Sequence, residues 1–94
     1  MQLVLYSKPG CHLCEGLQEK LEALPQLDFS LEVRDITTRP DWFNCYQYEI
    51  PVLCRVVQTP EGEREEALPR LSPRAPVRKV EQMLQTYLEP DTAK

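Results

Sequence analysis

Hydrophobic positions in this chain alternate between the period of a strand and the period of a helix. Gln2-Leu3-Val4-Leu5-Tyr6 is a short apolar run rich in strand formers and reads as a buried strand. Ser7-Lys8-Pro9-Gly10 interrupts it as a turn or loop. Leu13, Leu17, Leu21 and Leu24 then recur every three or four residues, the stripe of an amphipathic helix. Pro25 ends that helix, because proline disfavours helical geometry in the residue before it. Phe29, Leu31 and Val33 alternate with Ser30, Glu32 and Arg34, which predicts a second strand with one buried face. Asp35 to Thr38 leads out of it.

Pro40 suits a first helical turn, where its missing N–H would be unpaired in any case. Asp41 to about Tyr48 is expected to be a short helix. Ile50-Pro51-Val52-Leu53-Cys54-Arg55-Val56-Val57 gives the next strong strand signal. Thr59-Pro60-Glu61-Gly62 is a turn, and a weaker polar strand over Glu63–Ala67 completes a hairpin. Leu68 to Pro73 reads as a loop. Val77, Val80, Leu84 and Leu88 mark a last amphipathic helix, closed before Pro90, with Pro73 and Pro76 near its start. The order is βαβαββα. The first strand–helix–strand unit implies a parallel pair with a right-handed crossover, and the hairpin adds an antiparallel one. The expected architecture is a four-stranded mixed sheet with helices on both faces, a three-layer α/β/α sandwich.

Ninety-four residues suit one domain, expected over residues 1–90, with Asp91-Thr92-Ala93-Lys94 as a flexible tail. The start lacks the basic stretch and longer apolar run of a secretory signal, and no run approaches a membrane span, so the cytosol is the expected compartment. A net charge of −4 argues against a general nucleic-acid binder. Four cysteines are present, Cys11, Cys14, Cys45 and Cys54. In a chain without an export signal, redox catalysis, metal binding or core packing are better uses for them than a disulfide framework.

Cys11-His12-Leu13-Cys14 falls where a strand and loop give way to a helix. A helix N-terminus presents unpaired N–H groups and a partial positive charge, so the first thiol there should ionise more easily than a free one. Only the thiolate attacks a disulfide. Cys14, one turn later, can close on the mixed disulfide and release the reduced partner. Metal binding is the competing reading, with Cys45 and His12 as further ligands. A structural zinc site wants four ligands, however, and no second Cys-x-x-Cys or His pair exists. Inert packing is the third, set against a solvent-facing loop before Cys11.

Tyr6-Ser7-Lys8-Pro9-Gly10-Cys11-His12-Leu13-Cys14 resembles the active-site stretch of glutaredoxins, and Glu49-Ile50-Pro51-Val52-Leu53 resembles their second landmark. The match looks closest to the small glutaredoxin-like proteins of bacteria and covers nearly the whole chain. The resemblance implies a thioredoxin-like fold. It also implies a cis Ile50-Pro51 bond beside the cysteines, with backbone groups of Ile50 pairing with a bound disulfide substrate. A trans proline opening an edge strand is the plainer alternative. Lys8 corresponds to a basic residue that binds the glutathione carboxylate and favours the thiolate; as a plain loop lysine it would only be solvated.

The implied activity is reduction of protein or small-molecule disulfides, with Cys11 and Cys14 catalytic and Lys8, His12, Leu13, Ile50 and Pro51 at the substrate. Glutathione or a thioredoxin reductase would restore the dithiol. No metal or organic cofactor is required, glutathione would enter only as co-substrate, and a monomer is expected. An iron–sulfur or metal carrier and a redox-inert binding module are the alternatives on the same fold.

The chain also departs from the family. Glutaredoxins usually carry Gly-Gly and an acidic residue before the last helix, to fix glutathione. Here that stretch reads Arg70-Leu71-Ser72-Pro73-Arg74-Ala75. Arg70 and Arg74 are either an anion site near a helix N-terminus or, more in keeping with loop residues, simply solvated. The family's Pro-Tyr between the cysteines is His12-Leu13, a histidine that would favour the thiolate when protonated and a leucine at the substrate or in the core. Tyr6 lines the site or packs at the strand end. Cys54 is expected in the core, Cys45 in buried packing, and Trp42 and Phe43 in the core or at its rim.

Overall fold

The computed structural model describes residues 2–24 and 27–88; the expectations for Pro25, Pro90 and the 91–94 tail fall outside them. The elements are β1 (Gln2–Ser7), α1 (His12–Glu22), β2 (Ser30–Asp35), a 3-10 turn (Ile36–Thr38), α2 (Pro40–Tyr46), β3 (Val52–Thr59), β4 (Gly62–Ala67) and α3 (Val77–Leu88). The strands form one sheet in the order β2-β1-β3-β4. β1 pairs in parallel with β2, Leu3 beside Leu31, and antiparallel with β3, Leu5 beside Leu53. β3 and β4 form the expected hairpin, whose turn uses Gly62 at a φ of 122°.

A strand at the middle of a sheet covered on both faces needs apolar residues at every position, and β1 has them. Leu3 and Leu5 point to one side, where they pack with Leu21 and Leu24, Leu53, Leu68, and Val80 and Leu84 of α3. Val4 and Tyr6 point to the other, with Ile36, Cys54 and the partly buried Trp42 and Tyr46 of α2. Helices α1 and α3 therefore cover one face and α2 the other, the three-layer α/β/α sandwich that the sequence predicts. No helix among the described residues is long and apolar enough to cross a membrane.

Several details differ from expectation. Leu13 heads the α1 stripe in the sequence yet is 54% exposed, since it lies at the open end of the helix, beyond the layer that Leu17 and Leu21 reach. Val33 is 41% exposed because β2 is an edge strand, where the core layer covers Phe29 and Leu31 only. Helix α2 begins at Pro40 and stops at Tyr46, short of Tyr48, and Asp35 caps the preceding 3-10 turn by accepting the Thr37 N–H at 2.9 Å.

Candidate active site

The C-terminal end of β1 aims the chain at the site. Gly10 turns it with a φ of 81°, a left-handed conformation that suits glycine, and Cys11 follows with extended backbone as the N-cap of α1. Cys11 thus stands where a serine or aspartate usually caps a helix. Its Sγ accepts the Cys14 backbone N–H at 3.2 Å. Cys11 and Cys14 are joined as a disulfide, one turn apart. Their burial is unequal: Cys14 is 2% exposed, whereas Cys11 is only partly covered. His12 projects into solvent, its Nδ1 3.6 Å from a Glu15 carboxylate oxygen.

The Ile50-Pro51 bond is cis. Tyr6 pairs with Val52 across β1 and β3, so Pro51 comes one position beyond this pair, level with the exit of β1 toward the cysteines. Pro51, His12 and Leu13 share the lining of one cavity of about 160 Å³. Ile50 is half-buried against the α2-face core, and its N–H donates to the Tyr46 carbonyl at 3.1 Å. Of the Ile50 backbone groups expected to face a substrate strand, the N–H is therefore already bonded within the chain. Lys8 is exposed and outside the cavity lining; its contribution here is the carbonyl that accepts the Cys11 N–H at 3.3 Å.

The cavity continues between α1 and the segment joining β4 to α3. Leu17, Leu53, Leu68, Leu71, Val80 and Met83 give it apolar walls. The loop read from Leu68 to Pro73 is an outer wall. Leu68 is buried, and its N–H donates to the Leu53 carbonyl at 2.8 Å, prolonging the hairpin. Lys20 reaches from α1 to the carbonyls of Pro73 (3.0 Å) and Ala75 (2.6 Å). Arg70 donates to the Glu49 carbonyl at 2.5 Å, next to the cis bond. Arg74 is exposed and absent from the lining. Sequence reasoning missed Gly16, Lys20, Leu71 and Met83 as site-lining residues. The mixed polar and apolar letters of residues 68–73 were the available signal.

Residues 2–85 match the family model described as Glutaredoxin-like domain (DUF836). The chain belongs to that family. Among solved structures, this glutaredoxin-like domain is similar to thioredoxin 1 from Thermosipho africanus TCF52B, with a TM-score of 0.59 and 20% identity over 95% of this chain and 96% of that one. It is also similar to the structural-genomics target protein XcR50 from X. campestris, with a TM-score of 0.51 and 28% identity over 93% and 95% of the two chains. These neighbours share the thioredoxin fold. No curated protein shows significant sequence similarity.

On the opposite face, the glutaredoxin-like domain carries a polar cluster that the sequence does not announce. Tyr6, 3% exposed, takes the core reading. Its hydroxyl donates to Glu65 at 2.5 Å and accepts from Arg34 at 2.8 Å, and Arg34 also bonds Glu65 and Glu32. Burial, followed by the Glu65 carboxylate, holds the Tyr6 hydroxyl well above the usual phenol range. The Arg34 guanidinium lies 5.5 Å from the Tyr6 ring centroid and 5.2 Å from that of Trp42. Cys54 is buried beneath this cluster as expected, and desolvation, then Glu65, pushes its thiol up to about 11. Cys45 is exposed, contrary to expectation: Trp42 and Tyr46, four residues apart, occupy the inward stripe of α2 and leave Cys45 outside it. Among the described residues, no three His, Cys, Asp or Glu side chains group to hold a metal ion.

Proposed function

We propose that this glutaredoxin-like domain is a dithiol oxidoreductase that reduces disulfides of proteins or small molecules. The carrying observation is the unequal burial of the Cys11–Cys14 pair at the mouth of α1. An accessible sulfur capping a helix is the attacking one. The N–H of Cys14 and the helix dipole favour its thiolate, and no metal or organic cofactor is needed. In the reduced form the Cys11 thiolate attacks one substrate sulfur, and the other leaves as a thiolate and takes a proton. Cys14 then gives up its proton and attacks Cys11 Sγ, expelling the second substrate thiolate. Two electrons have moved from the dithiol to the substrate, and the protein holds the Cys11–Cys14 disulfide.

Glutathione or a thioredoxin reductase returns the two electrons. The rim formed by the exposed His12 and Leu13 and the half-buried Pro51 serves as the substrate platform, with the Ile50 carbonyl as a strand-type acceptor and Lys8 as a nearby positive charge. The protein works as a monomer in the cytosol, with this surface open.

The test is a pair of substitutions. Cys11→Ser should abolish disulfide reduction, and Cys14→Ser should accumulate a mixed disulfide visible by intact-mass spectrometry. Equal activity of both variants would overturn the assignment. Wild-type protein that reduces no disulfide would return the fold to a redox-inert module, and visible absorbance with bound iron would turn it into a cluster carrier.

A further inference from the structure

Gly16 lies inside α1, two residues past Cys14, in the wall of the cavity. Glycine in a helix interior is unfavourable relative to alanine, so it usually answers a backbone or packing need. Here neither need exists. Its φ is not among the positive ones, and apart from its chain neighbours and its own helix backbone a Cβ placed on it would meet no atom within 4 Å. What the missing side chain leaves is space, adjoining His12 and Leu13 of the active-site turn.

The space has a definite chemistry. Its volume of about 160 Å³ is comparable to that of an apolar protein cavity, about 150 Å³, known to take up benzene. Its walls are aliphatic and its charged lining residues are Lys20 and Arg70, with no carboxylate, in a chain of net charge −4. Both cations already donate to backbone carbonyls. They therefore set a positive potential at the rim and leave the interior apolar.

We propose that this cavity seats one large aliphatic or aromatic side chain of the polypeptide whose disulfide is reduced, with an acidic residue of that polypeptide at the Lys20–Arg70 rim, and that Gly16 keeps the seat open. The proposal rests on the oxidoreductase reading for its substrate and names the class: a protein disulfide flanked by an apolar and an acidic residue.

Disulfide-linked peptides test it, with leucine or alanine scanned through the two positions either side of the cysteine and an aspartate included or omitted. At the best position leucine should raise kcat/KM over alanine about tenfold or more, chiefly through KM, and aspartate should add a gain that salt removes. In Gly16→Leu the leucine-to-alanine ratio should fall to near one. Gly16→Ala, a substitution that favours the helix, should lower it partway and serves if the leucine variant does not fold by circular dichroism. An unchanged ratio in both variants, or glutathione disulfide used as well as the leucine peptide, would overturn the proposal. Binding is followed separately with a cysteine-free leucine–aspartate peptide, by shifts of the Leu71 and Met83 methyl resonances. Shifts without any disulfide reduction would keep the seat and remove the enzyme reading; reduction without shifts would do the reverse.

Discussion

Cys11 and Cys14 share one turn of helix, but Cys14 is buried and Cys11 only partly covered, and that asymmetry is testable in the reduced protein. Iodoacetamide at pH 6 should modify Cys11 ahead of the buried Cys14, and ahead of Cys54, whose thiol is buried and pushed up to about 11. Peptide mapping of a time course gives the order, and equal rates would contradict the helix-cap argument. Gly16→Ala should raise stability by about 0.5–1 kcal/mol, read from urea midpoints, because the new methyl meets open space and the helix gains propensity. At this scale the sequence was legible where chemistry lies in local spacing. Cys11-His12-Leu13-Cys14 and Ile50-Pro51 were both recognisable as letters, and both line the same end of the sheet. Cys45 was not legible, because a helix of two turns carries too short a pattern to tell which side Trp42 and Tyr46 will take.

Among the elements, β1 was the easiest to read and β2 the hardest. An uninterrupted apolar run has one sensible place, between two covered faces, whereas alternation at an edge strand does not say how far the covering layer extends. Val33 fell outside that layer. The Tyr6–Arg34–Glu65 cluster was likewise invisible, since it joins β1, β2 and β4 across 28 to 59 positions of sequence. Tyr6→Phe should cost only about 1 kcal/mol in urea denaturation, because Arg34 and Glu65 remain bonded to each other at 2.8 Å. A loss of several kcal/mol would mean that the hydroxyl is indispensable to that pairing.

For the molecule as a whole, the α2-face core makes stability depend on alkaline pH. Cys54 and Tyr6 both hold their protons more tightly folded than unfolded. Their contribution is complete below the unfolded thiol value near 9 and is lost as pH rises through the folded value. Between pH 9 and 11 the thiol alone should remove on the order of 2 kcal/mol, with Tyr6 steepening the fall above pH 10. Urea midpoints at pH 8, 9.5 and 10.5 would follow it, and Cys54→Val should flatten the first part of the decline.

Lys20 and Arg70 fasten the segment between β4 and α3 to the helix on one side and to the residue preceding Ile50 on the other. A visitor to the cavity mouth therefore finds a preorganised rim rather than a loop to be folded around it. Association should lose little conformational entropy, and calorimetry should find the heat-capacity change of simple apolar burial without the larger signature of coupled ordering.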